Sequence, residues 1–188
     1  MRLRLSLLVL LLPIAASATQ VVAVDLDTMV DTAAVACWGT VTSVTAARNG
    51  GRIQTTVVVQ PSEVLKQDGS ARPGDPVSFV LPGGVVGRFG QWVPGVPKFT
   101  PGMEVVVLLE RQRDTGTLLL VGLPQGRYVV ERRTSAEPPE AVSDRRDIGL
   151  LARDKDGRLT PAPESARVDR RPLDGLLQAI RQRVQRRP

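Results

Sequence analysis

The chain has 188 residues, with 25 Lys and Arg against 19 Asp and Glu, no histidine and one cysteine. The commonest general base is therefore missing, a zinc site built on cysteine and histidine is excluded, and Cys37 has no partner for an internal disulfide. A chain of this length can bury a core without such staples.

Residues 1–18 read as a secretory signal. Arg2 and Arg4 give a positive start, Leu5 to Leu12 is apolar apart from Ser6, and Pro13 breaks the run before the small-x-small sequence Ala16-Ser17-Ala18. The apolar run is well short of the roughly 20 residues that a spanning helix needs. The expectation is an exported protein, periplasmic or extracellular after cleavage near Ala18. Beyond the signal, charge is uneven: residues 19–144 hold 11 basic and 13 acidic residues, and residues 145–188 hold 12 and 6. A basic tail can rest on acidic lipid or polysaccharide, and export makes nucleic acid the poorest partner.

Val24 to Ala36 reads as a short helix. Asp25 or Asp27 can cap its start, and Leu26, Met29, Val30 and Ala33 fall on one face. Cys37 and Trp38 enter a strand that continues through Gly39 to Ala46. Asn49-Gly50-Gly51 is a tight-turn signal. The return strand, Arg52 to Gln60, points Ile53, Thr55, Val57 and Val59 one way. Pro61 ends or bulges it, and Glu63 to Lys66 closes the arm.

Gln67 to Pro76 is a polar loop, and Val77 to Leu81 a third strand. Residues 82–100 form a long connection. Met103 to Leu109 is the most apolar strand, without strict alternation, so both its faces should be covered. Asp114-Thr115-Gly116 turns the chain into a strand from Thr117 to Leu123, and Arg127 to Glu131 follows around Tyr128. Residues 133–171 are rich in proline and charge and read as a surface-following tail, with a small hairpin signal in Leu150 to Leu159. Pro172 opens a C-terminal helix (172–188) with Leu173, Leu176, Leu177, Ile180 and Val184 in one stripe, flanked by Arg181, Arg183, Arg186 and Arg187.

Short strands joined by turns predict a mainly β domain over residues 19–132. The expected form is a small antiparallel Greek-key barrel of the OB type, with a β-sandwich as the alternative.

Few residues suggest chemistry. Cys37 follows an apolar run and reads as a buried, inert thiol. Gly83 to Gly90 lacks both phosphate-loop spacings, and Asp154-Lys155-Asp156-Gly157 lacks the remaining ligands of a calcium loop. The expectation is no enzyme, no cofactor and no metal. The connection 82–100 stands out instead, with five glycines, three prolines and three of the six aromatics in the chain. A loop this long in a compact domain is usually functional. Phe and Trp are frequent interface anchors, so Arg88, Phe89, Trp92 and Phe99 are the candidate partner-binding residues.

Four stretches carry a resemblance: VDLDTMVDTAAVACWGTVTSV, GRIQTTVVVQPSEVLK, PGGVVGRFGQWVPGVPKFTPGMEVVVLL and VGLPQGRYVV. In this order they resemble a family of exported bacterial proteins of unknown function, over about residues 22–132. The chain departs from that pattern at Met103, which precedes the usual Glu, and at Gln67, which stands where glycine is usual. More distantly, the arrangement is similar to the netrin-like OB module of tissue inhibitors of metalloproteinases. The resemblance implies an OB-like fold. It does not carry the inhibitory mechanism, which needs an N-terminal cysteine and disulfides that this chain lacks.

The expected function is a non-catalytic binding module that meets a co-secreted protein, such as a protease, or a cell-envelope glycan through residues 82–100. The alternative is a structural, envelope-associated protein held by peripheral contact of its basic C-terminal helix.

Overall fold

The computed structural model describes residues 19–69, 74–134 and 136–186. The expected signal segment, residues 1–18, lies outside the described residues. In chain order the first half comprises β1 (Gln20–Val22), α1 (Leu26–Thr32), β2 (Val35–Asn49), β3 (Arg52–Lys66), β4 (Val77–Pro82), β5 (Gly84–Val86) and β6 (Phe89–Gln91). The second half comprises β7 (Glu104–Arg111), β8 (Leu118–Leu120), β9 (Arg127–Glu131), β10 (Glu140–Asp144), β11 (Gly149–Arg153), β12 (Leu159–Pro161), β13 (Val168–Pro172) and α2 (Leu173–Gln185).

The Asp25 carboxylate caps α1, accepting the Thr28 N–H at 2.7 Å and the Thr28 hydroxyl at 3.0 Å. These bonds hold its pKa below the usual carboxylate value. At the other end Lys66 donates to the Val30 carbonyl at 2.6 Å, satisfying an acceptor that the helix leaves open. The helix stops at Thr32, four residues before the end expected from sequence. Ala34 donates to the Leu109 carbonyl at 2.7 Å, and Val35 and Ala36 are already paired with β7. Apolar Val35 and Ala36 serve a strand with both faces covered, which helical spacing alone does not distinguish.

β2 and β3 form a long hairpin. Gly50 and Gly51 both take positive φ, +54° and +81°, between the paired Asn49 and Arg52. That is the backbone of a turn whose twist matches the strands. Pro61 does not end β3. The ladder slips between Trp38 and Gly39, opposite Pro61, and a Cβ on Gly39 would collide with the Gln60 carbonyl. Glycine there lets the strand bulge past proline.

The main sheet is antiparallel throughout, in the order β13-β10-β9-β7-β2-β3-β4, with β8 also paired to β7. β7 is central. It pairs with β2 along one edge and with β9 and then β8 along the other. Every residue from Val105 to Leu109 is buried. Val106 and Leu108 face α1 and α2, together with Met29, Tyr128, Leu176 and Ile180. Val105, Val107 and Leu109 face a second core with Cys37, Val57, Phe79 and Phe99.

The fold is thus mainly β with two helices. Among the described residues no ladder joins β4 to β8 or to β13, so the sheet is open rather than a closed barrel.

The stretch 133–171 is not only a surface tail. β10 and β13 extend the main sheet beyond β9, and β11 pairs in parallel with β1 and antiparallel with β12. Its apolar clusters are short but well placed: Ala141 and Val142 are buried in the sheet, and Ile148, Leu150 and Ala162 make a third small core. Its charges find partners, with Arg170 bonded to Glu131 and Glu140. Tyr128 and Asp169, 2.8 Å apart, join β9 to β13. Arg145 approaches the same carboxylate to 3.6 Å. Gln125, fully buried, holds the N-terminal segment by accepting the Val24 N–H at 2.9 Å and donating to the Val22 carbonyl at 3.0 Å.

α2 lays Leu173, Leu176, Leu177 and Ile180 into the first core. Its arginines turn to carboxylates of the same chain: Arg181 grips Glu63, and Arg183 grips Asp31. No helix among the described residues is long and apolar enough to cross a membrane.

Candidate functional site

Residues 82–100 are a folded arm, not an open loop. Gly83 and Gly84 turn the chain out of β4 with φ of +87° and +134°. A Cβ on Gly84 would run into the Thr55 hydroxyl, with the Ala46 methyl at 3.0 Å. Glycine is required there by backbone conformation and by space. β5 and β6 then pair as a small hairpin, with Arg88 in its turn.

Three sets of contacts hold the arm to the rest of the fold. At its start, Gly83 donates to the Ile53 carbonyl at 2.8 Å and accepts the Thr55 hydroxyl at 2.7 Å. The Gln91 side chain accepts the Ile53 N–H at 2.8 Å. In the middle, Gly95 packs closely on Ile148, and Thr19 donates to the Pro94 carbonyl at 3.3 Å. At its end, Phe99 meets Phe79 edge to face, with ring centres 5.3 Å apart. Arg127 lies over the Phe99 ring, 5.5 Å from its centre, and donates to the Lys98 carbonyl at 2.6 Å. Burial lowers the pKa of that guanidinium.

Between arm and sheet runs an open groove of about 760 Å³. β2 and β3 contribute Val44, Ala46, Thr55 and Val57, and β4 contributes Leu81. The arm contributes Val85, Trp92, Val93, Val96 and Phe99. The lining is mostly apolar, and the volume lies in the range of small-ligand sites, roughly 300–1,000 Å³.

The four sequence candidates divide. Trp92 is 80% exposed and lines the groove, and Phe89 is 62% exposed on β6. The Arg48 guanidinium lies 4.3 Å from the Phe89 ring centre, a cation–π contact. Arg88 is exposed in the neighbouring turn. Phe99 is only 6% exposed and belongs to the second core. It follows Pro97 and Lys98 back toward the sheet, so its ring goes inward and is a wall, not an outward anchor. Val85, 70% exposed, joins Trp92 and Phe89 as a third apolar side chain left in water.

Sequence reasoning missed the sheet side of the groove. Strand alternation carries a signal: Val44, Ala46 and Arg48 are two apart on β2, and two line the groove while the third lies on Phe89. No such signal marks the Tyr128–Asp169–Arg145 network, whose members are far apart in sequence. Cys37 is buried in the second core, and desolvation pushes its thiol up to about 12.

Comparison of the chain with protein-family models, with curated proteins and with solved structures returns no match.

Proposed function

We propose that the chain is an exported, non-catalytic binding module that holds an apolar part of its partner between the sheet and the arm 82–100. One observation carries this reading: Trp92, Phe89 and Val85 stay exposed beside an apolar groove that the fold leaves open. Exposing large apolar side chains in a group is unfavourable in water, and such clusters mark contact sites. Phe79–Phe99 and the Gln91 bond hold the groove's walls in place, so binding need not order them.

The OB-like assignment belongs to the same proposal. What supports it is the sequence of five antiparallel strands, β2, β3, β4, β7 and β8, with β8 beside β4 and the arm as the long connection after the third. The resemblance to netrin-like modules and to exported proteins of unknown function points the same way. Of the proposed partner classes, a co-secreted protein offers the apolar side chains this groove suits better than an envelope glycan does. Envelope attachment by the basic helix is the weaker reading, because the apolar stripe of α2 is already buried and Arg181 and Arg183 are already paired.

Affinity capture from the secreted fraction tests the proposal. Captured species should be lost with Trp92→Ala and with a shortened arm. If both variants retain everything that the parent retains, the arm is only a cover for the open sheet.

A further inference from the structure

The groove end of the molecule has a charge pattern of its own. Residues 39–62 and 76–103 comprise most of β2 and β3, all of β4 and the entire arm, and every groove-lining side chain comes from them. These stretches contain Arg48, Arg52, Arg88 and Lys98 and no Asp or Glu, in a chain with 19 carboxylates. None of the four cations has a salt-bridge partner among the described residues. Several arginines away from the groove are paired: Arg132 with Glu104, Arg170 with Glu131 and Glu140, and Arg181 with Glu63.

One of the four cations lies in the groove lining, and two more lie at the adjoining β5–β6 hairpin. Lys98 lines the groove, Arg48 lies on Phe89 and Arg88 sits in the turn of the same hairpin. Inside, Thr55 spends its hydroxyl on the Gly83 carbonyl, and Gln91 spends its side-chain oxygen on Ile53. An entering peptide backbone would bring an N–H and a C=O at each residue, more than the remaining amide N–H groups of Gln91 and lone pairs of Thr55 can satisfy, which opposes burial. A hydrocarbon chain brings none.

We infer that the groove accepts an amphipathic anion: a free long-chain fatty acid, its chain against Val57, Leu81, Val96 and Phe99 and its carboxylate at the rim of Lys98, Arg48 and Arg88. The inference rests on the binding reading above for the site and departs from it in the occupant, a hydrocarbon chain in place of protein side chains.

The test titrates the full chain with three probes of equal length: dansylaminoundecanoic acid, its methyl ester and a quaternary-ammonium analogue. The acid should bind about tenfold more tightly than the ester, and the cation least, with the advantage shrinking at high salt as exposed charges are screened. The substitutions Arg48→Gln and Lys98→Gln together should remove most of the acid's advantage over the ester. Palmitate should displace the acid probe.

Equal binding of acid and ester overturns the anion inference while the apolar binding site stands. No binding of any probe, with Trp92-dependent capture of a secreted partner intact, overturns the inference alone. No probe binding and no Trp92-dependent capture removes both readings. An acidic, leucine-rich peptide that displaces the probe at lower concentration than palmitate also overturns it, and assigns the groove to peptide.

Discussion

The side-chain oxygen of Gln91 accepts the backbone N–H of Ile53 at 2.8 Å, closing the arm onto the sheet 38 residues earlier in the chain. Ile53 is itself buried, and its carbonyl takes the Gly83 N–H. One residue of β3 therefore holds both ends of the β5–β6 hairpin.

That relationship gives the first expectation. Gln91→Ala leaves the Ile53 N–H partly buried and unpaired, which should cost about 1–2 kcal/mol in urea unfolding. Gln91→Glu retains an acceptor and should recover most of the loss. Limited proteolysis should cut the arm faster in the alanine variant alone. Equal stability of all three proteins would mean that the bond is not made in solution.

Gly84→Ala tests the space under the arm. The new methyl would collide with the Thr55 hydroxyl, and φ is +134°. A loss of about 2 kcal/mol or more is expected, since strain and overpacking act together. Gly50→Ala, also at positive φ but with nothing within 4 Å, should cost only about 1 kcal/mol. The comparison separates crowding from backbone preference.

The alkaline side of the stability curve should reflect Cys37. Burial raises its thiol from the ordinary 9.0 to about 12. The folded state binds the proton more tightly than the unfolded state. This stabilisation is complete below about pH 9 and is lost as pH rises toward 12. The thiol should not react with a disulfide reagent in the native protein and should react at once in denaturant. Cys37→Ala, which removes the titrating group, should flatten the fall in stability above pH 9.

On the acid side, Glu104 is the group to follow. The Arg132 guanidinium bonded to it holds its carboxyl below the ordinary 4.5, with a smaller contribution from the Trp38 indole, and burial opposes both. A depressed carboxylate stabilises the fold above its unfolded pKa and loses that contribution as pH falls through the folded value. Stability should therefore decline below about pH 4.5, and Glu104→Gln should decline less. Trp38 emission in a Trp92→Phe background reports the change, because the indole N–H donates to Glu104 at 2.8 Å.

Much of this fold is legible in the residues. Asp25 caps α1, Asn49-Gly50-Gly51 turns β2 into β3, and the 3,1,3,4 spacing of Leu173 to Val184 marks α2, because each depends on neighbours in the chain. The strands after residue 133 are not legible. Ala141 and Ile148 become core only because distant β9, β1 and Tyr128 meet them, and their local composition is that of a polar tail. The candidate site divides in the same way. Trp92 and Phe89 show their exposure through an arm rich in glycine and proline. Phe99 differs from them only in tertiary position, and the Arg48–Phe89 contact spans 41 residues that no local pattern connects.

The two tryptophans offer the most direct test of the groove as the binding surface. In a proton–nitrogen correlation spectrum each indole N–H gives one signal. Trp38 is half-buried and bonded to Glu104, whereas Trp92 is exposed at the groove. Titration with the uncharged apolar probe phenylnaphthylamine should shift the Trp92 signal and leave that of Trp38 in place. A titration in which the probe binds and the Trp92 signal stays still would contradict the groove as the site.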